Sequence, residues 1–143
     1  MNKDKAEVLL STSYDGLYKH GYRPYVRWGV LNETLAAACI LESGVLDRAK
    51  HTGKLYLWDP FCGSGSFLIE ALMYSLEQPV RTLNSEYPFE NWPIHMQEQY
   101  ELFKAEIEEV RKIKSDLDVQ IIGSDVSLRA IETATNNMDF AKI

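Results

Sequence analysis

Leu55-Tyr56-Leu57-Trp58-Asp59-Pro60-Phe61-Cys62-Gly63-Ser64-Gly65 is the stretch from which the fold of this chain is read. Four apolar residues bounded by Gly53 on one side and a glycine-rich loop on the other predict a strand over 55–59. The apolar pattern over 66–77 predicts a helix, with Pro79 just past its end. A strand that ends in an acid and enters a glycine turn opening a helix is how α/β proteins build a pocket for nucleotide-like ligands. The glycines let the backbone approach the ligand, and the helix start offers free N–H groups. The plainer alternative is a tight strand–helix connection in which Asp59 satisfies local N–H groups.

Three ligands compete for such a loop. A phosphate loop of the Walker type needs a lysine after the glycines, and here Ser66-Phe67-Leu68 follows. A dinucleotide fingerprint needs a third Gly or Ala where this chain has Leu68. S-adenosylmethionine fits better. Its ammonium can pair with an Asp at the strand tip, while its carboxylate takes loop N–H groups. Asp59 and the Gly63/Gly65 turn meet both requirements.

Outward from that corner, residues 31–43 predict an alanine-rich helix stopped at Gly44. Val8-Leu9-Leu10 is a candidate short strand, and 79–95 is an aromatic, proline-punctuated connection. Residues 96–114 predict an amphipathic helix, with Tyr100, Phe103, Ile107, Val110 and Ile113 on one face and a charged, solvated opposite face. Val119-Gln120-Ile121-Ile122-Gly123 predicts a second strand ending at Asp125, and Ser127 is placed to cap a helix from about 128 to 138. Strand, glycine turn, helix, strand, acidic tip and helix form the opening half of a doubly wound sheet. Asp125 lies 60 residues after Gly65, against about 20 in a dinucleotide domain. Its carboxylate suits a pair of ribose hydroxyls, or else a helix-capping turn.

These segments resemble, in order, those of the THUMP-associated RNA guanine-N2 methyltransferases, enzymes of the Asn-Pro-Pro-Tyr type that use S-adenosylmethionine. Leu17-Tyr18-Lys19-His20-Gly21-Tyr22-Arg23 is similar to a segment near the start of that family's methyltransferase domain. Glu33-Thr34-Leu35-Ala36-Ala37-Ala38 is similar to its next helix, and Asp59 to Gly65 running on into Phe67-Leu68-Ile69-Glu70-Ala71 to its motif I. Tyr87-Pro88-Phe89-Glu90-Asn91-Trp92-Pro93 resembles an aromatic segment of the ribosomal-RNA branch. Gly123-Ser124-Asp125 with Ala130-Ile131 resembles motif II. The resemblance covers nearly the whole chain, although Ser66 stands for the usual Thr, and Val30 and Asn32 for a Pro and an Arg. It implies an α/β, Rossmann-like doubly wound methyltransferase sheet with helices on both faces, of which residues 1–143 would be the first part. It further implies S-adenosylmethionine held by Asp59, Pro60, Cys62, Gly63, Ser64, Gly65, Ser66 and Asp125, with Glu33 and Thr34 beside it.

Composition sets bounds. A chain of 143 residues with 45% hydrophobic and 11% aromatic content suits one globular domain at most. No apolar run reaches the roughly 18 residues of a membrane span, and nothing at the N-terminus resembles a signal peptide. Cys39 and Cys62 have no Cys-x-x-Cys partner or neighbouring His, so no metal site is expected and reduced thiols in the cytoplasm are the default. Fifteen Lys and Arg against 21 Asp and Glu give a net charge of −6, a field that RNA opposes. Residues 1–29 are the more basic part; there Lys19, Arg23 and Arg27 interleave with Tyr18, Tyr22, Tyr25 and Trp28. That pattern suits either RNA stacking or a packed, solvated domain edge.

The resemblance implies methyl transfer to the exocyclic N2 of guanine in large-subunit ribosomal RNA. The rival readings are a transfer-RNA guanine or DNA adenine methyltransferase, and a non-catalytic scaffold of the same fold. The family's base-handling Asn/Asp-Pro-Pro-Tyr/Phe loop has no counterpart in these residues. The catalytic residues are therefore expected in further domains of the same protein or in a partner chain, which would also grip the RNA.

Overall fold

The computed structural model describes residues 6–24, 29–78, 87–112 and 116–143. Tyr25, Arg27, Trp28, Pro79 and Ile113, each singled out in the sequence, lie outside the described residues. The order of elements is α1 (Glu33–Glu42), α2 (Val45–Thr52), β1 (Lys54–Asp59), α3 (Ser66–Ser75), a one-turn 3-10 helix (Pro88–Asn91), α4 (Gln97–Lys112), β2 (Asp118–Gly123) and α5 (Leu128–Ala141).

β1 and β2 pair in parallel, with Leu55 opposite Val119, Leu57 opposite Ile121 and Asp59 opposite Gly123. Alternation along β1 sends Leu55 and Leu57 inward, while Tyr56 and Trp58 remain 52% and 65% exposed on the other side. That outer face carries its own polar handles. The Tyr56 hydroxyl donates to the Asp118 carboxylate, and the Trp58 indole N–H donates to Ser124 Oγ at 3.1 Å. Among the described residues the α/β architecture with a parallel sheet is as expected from the sequence, but the helical layer lies on the Leu55/Leu57 side and the Tyr56/Trp58 face is open rather than covered by helices.

α3 is the centre of that layer. Leu68, Ile69, Glu70, Ala71 and Met73 are all buried, which leaves this helix almost no solvent face. One side packs Leu68 with Cys62 and Ala134 against Leu57 and Ile121 of the sheet. The other joins Ile69 and Met73 to Tyr22 and Ala141. α1 lies along α3 through its small Ala36 and Ala37, which permit a close approach.

Three sequence expectations change. Val8-Leu9-Leu10 is exposed irregular backbone rather than a strand, because no partner strand reaches it among the described residues. Gly44 does end α1, but the chain turns there through a positive φ of 68° straight into α2, which the sequence reading passed over. With eight residues and only Ala49 buried, α2 shows too little periodicity to be read from pattern alone. Ser127 stands at the N-cap of α5, yet its side chain makes no capping bond. At α1 the N-cap does bond: Asn32 accepts from the Thr34 N–H at 2.9 Å.

Candidate functional site

The carboxyl ends of the two strands are stitched together. Ser124 N donates to Asp59 O and Cys62 N to Ser124 O, both at 2.9 Å. Asp59 Oδ1 accepts from Phe61 N at 3.0 Å, so the acid at the strand tip also shapes the turn behind it. Asp125 Oδ2 accepts from Gly63 N at 3.1 Å and Oδ1 from Ser127 N at 2.8 Å. One carboxylate thus ties the glycine loop to the start of α5, and each oxygen keeps a lone pair for a further donor. Gly65 is required by geometry twice over. Its φ is +82°, and a Cβ there would lie 3.1 Å from Cβ of Ala134.

Above this corner lies a cleft of about 340 Å³. Its floor is Asp59, Cys62, Gly63 and Ser64, and one wall is Ser66 and Phe67 at the start of α3. Val30 and Leu31 form a second wall, Ala130 and Thr133 of α5 a third, and Phe61 stands exposed at the mouth. The start of α3 has Gly65 at its N-cap and no side-chain cap, so its first-turn N–H groups are left to a ligand. An acid at one end and an uncapped helix start at the other fit the zwitterionic end of an amino acid. Burial, reinforced by the Asp59 and Asp125 carboxylates, pushes the Cys62 thiol up. It therefore stays protonated near neutral pH and serves as a small apolar surface.

Behind the cleft is a buried polar network. Arg23 Nη1 donates to Leu31 O at 2.7 Å, Ser66 Oγ at 2.8 Å and Ser64 Oγ at 3.4 Å, and Nη2 donates to Glu33 Oε2 at 2.7 Å. From the opposite side, Asn137 of α5 donates through Nδ2 to Ser64 O at 3.1 Å. A turn deeper, Glu70, with no exposed surface, meets His20 Nδ1 at 2.7 Å.

The structure thus brings Asp59, Cys62, Gly63, Ser64 and Ser66 to the wall of one cleft, with Asp125 bonded to it. Gly65 is buried beneath, and Pro60 is exposed outside the lining. Glu33 does not line the cleft, being engaged with Arg23. Thr34 is exposed and donates weakly to Tyr18 O at 3.4 Å. The sequence reading missed Arg23 and Asn137 as parts of the site. Arg23 belongs to the basic stretch that suits either RNA stacking or a packed domain edge, and the structure decides for packing: its side chain is only 5% exposed and is paired with Glu33. No sequence signal marked it, because the burial of the Glu33 carboxylate that holds it is visible only in the structure.

A model of the RMKL-like methyltransferase domain family (UPF0020) matches residues 20–143. Among solved structures, a predicted N6-adenine-specific DNA methylase from Listeria monocytogenes str. 4b F2365 is 30% identical with a TM-score of 0.73. That similarity covers 92% of this chain and 32% of the Listeria chain. SMU.472, a candidate methyltransferase solved with S-adenosylhomocysteine (SAH), is 32% identical with a TM-score of 0.69 over 90% of this chain and 31% of its own. A candidate methylase from Clostridium difficile 630 is 29% identical with a TM-score of 0.73 over 92% of this chain and 32% of its own. The chain spans about a third of the length of these structures.

Proposed function

This chain belongs to the RMKL-like methyltransferase domain family, whose cofactor is S-adenosylmethionine, and from that premise we propose that it forms the cofactor-holding part of a cytoplasmic RNA methyltransferase acting on guanine N2. The observation that carries the reading is the cleft running from the Asp59 carboxylate to the uncapped start of α3. Asp59 takes the ammonium of the methionine end, and the first-turn N–H groups of α3 take its carboxylate. Asp125 accepts from the ribose hydroxyls through the lone pairs that Gly63 and Ser127 leave free. Bound there, the cofactor supplies an electrophilic methyl group on sulfur, open to direct in-line attack by an exocyclic base amine.

The residues of this chain contribute binding and orientation. Asp59 and the helix start hold the methionine end at both poles, which fixes where the sulfur lies. The protonated Cys62 thiol and Phe67 exclude water from the apolar stretch between them. Handling of the base, and most of the positive surface that an RNA requires, falls to other domains of the same protein or to a partner chain. A net charge of −6 supports that division.

The resemblance of the aromatic segment over 87–93 favours large-subunit ribosomal RNA. A second reading is favoured by the name of the Listeria relative, in which the acceptor is adenine N6 of DNA. Mass mapping of modified nucleosides in cells lacking the gene separates them. Loss of N2-methylguanosine from large-subunit ribosomal RNA is the expected result. Loss from transfer RNA, or loss of N6-methyladenine from DNA, would move the activity to those acceptors. An unchanged nucleoside profile from cells whose protein binds SAH would make the fold a non-catalytic module.

A further inference from the structure

Arg23 lies beneath the cleft rather than in its lining, and it touches two of its walls at once. Leu31 O on the N-terminal wall and Ser66 Oγ on the α3 wall both accept from its Nη1, at 2.7 and 2.8 Å. A guanidinium is planar and rigid, so bonds made from a single nitrogen fix the separation and angle of what they join. The direction of that plane is set by Glu33, whose carboxylate holds Nη2 at 2.7 Å in a site where the two side chains are 5% and 7% exposed. Bulk solvent screens such a pair poorly. From the far side, Asn137 holds the carbonyl of Ser64. The loop between Gly63 and Ser66 is therefore clamped between a charged strut and an amide.

We infer that Arg23 is the positioning residue of the cofactor cleft and that Glu33 acts on the cofactor only through it, by orienting the guanidinium rather than by touching the ligand. This inference rests on the reading of the cleft as the S-adenosylmethionine site. It replaces a direct ligand role for Glu33 with an indirect one, and it explains why the acid that opens α1 is buried away from the lining. The strut keeps Leu31 and Ser66 at the spacing of the bound ligand before the ligand arrives, so little ordering remains for binding to supply.

Calorimetric titration of SAH into the wild-type protein, Arg23→Lys, Glu33→Gln and the double variant tests this, with ligand-free thermal unfolding recorded for each. A lysine keeps the charge but cannot reach Leu31, Ser66 and Glu33 from one plane. Arg23→Lys is expected to weaken SAH binding about tenfold. Glu33→Gln is expected to weaken it less, and the double variant no more than Arg23→Lys alone. Multiplying losses in the double variant would mean that Glu33 touches the ligand independently and would overturn its indirect role. Arg23→Lys protein that binds like wild type would overturn the strut, even if its unfolding temperature falls, because that pattern marks a purely structural pair. Should Arg23→Lys fail to fold, Glu33→Gln decides, and unchanged binding by it counts against the inference. A wild-type protein that binds no SAH sinks the cofactor reading itself, which is a different failure.

Discussion

The loop over 59–66 and the arm over 87–112 are both rich in side-chain contacts, but they are built from opposite materials. The loop is held by hydrogen bonds and charge. Arg23, Glu33, Asn137 and Asp125 each reach it from a different part of the chain, and most of these atoms are buried. The arm is held by rings from its own neighbourhood. Tyr87 stacks on Phe89 at 5.3 Å, Phe89 and His95 meet the edge of Tyr100 at 5.3 and 5.4 Å, and Lys104 lies 4.8 Å over the Tyr100 ring. Phe103, Leu102, Ile94 and Met96 remain exposed there. Directional bonds fix positions to fractions of an ångström, as a ligand cradle requires, whereas ring clusters supply local cohesion with looser geometry. Damage to the loop should therefore reach cofactor affinity, with or without a loss of stability, whereas damage to the arm should stay confined to local stability.

Gly65 offers the largest effect. Gly65→Val puts a β-branched residue at a φ of +82° and crowds Ala134, so it should cost about 3 kcal/mol of stability, read as a lower denaturant midpoint. Asp59→Asn isolates the charge at the floor of the cleft. It should weaken S-adenosylmethionine binding by about 2 kcal/mol, roughly thirtyfold, with unfolding little changed. Equal affinity would remove the ammonium partner from the account. Asp125→Ala should weaken SAH by about 1–2 kcal/mol more than it weakens free methionine, which shares only the loss of the tie to Gly63, and equal losses would refute the ribose assignment. In the arm, Tyr100→Ala should cost about 1 kcal/mol and some helicity by circular dichroism, while SAH affinity stays within about twofold. A large loss of affinity there would break the division between the two regions.

The smallest effect is a drift with pH. Burial pushes the Glu70 carboxyl above its usual range, with Tyr22 and His20 pulling part of the way back. The folded chain then holds this proton more tightly than the unfolded chain, so the stability it contributes is present at low pH and is lost as pH rises through the raised folded value. Glu70→Gln cannot titrate. Its unfolding temperature relative to wild type should climb as pH rises from the ordinary carboxylate range through the raised folded value, and a flat difference would contradict the shift.

The parts of the fold legible in the sequence were those with long patterns or local chemistry. β1, α3, β2 and α5 follow from runs of apolar residues bounded by glycine and acid, and the glycine loop follows from its own spacing. What stayed hidden depended on contacts distant in sequence. Arg23 meets Ser66 across 43 residues and Asn137 meets Ser64 across 73, and neither residue type announces such a partner. Charge was ambiguous as well. A cation beside aromatic residues suits a nucleic-acid contact or a packed edge equally until the buried carboxylate opposite it is known. α2 was missed for a simpler reason, since eight residues between two glycines in left-handed conformation leave little periodicity to find.

The central claim is that this cleft holds S-adenosylmethionine with its methionine end between Asp59 and the start of α3. A crystal structure of the protein with SAH tests it most directly. The expected result is the ligand amine within hydrogen-bond distance of Asp59, its carboxylate against the first-turn N–H groups of α3, and the ribose hydroxyls on Asp125. A ligand bound elsewhere, or one reversed so that the adenosine end meets Asp59, would contradict it.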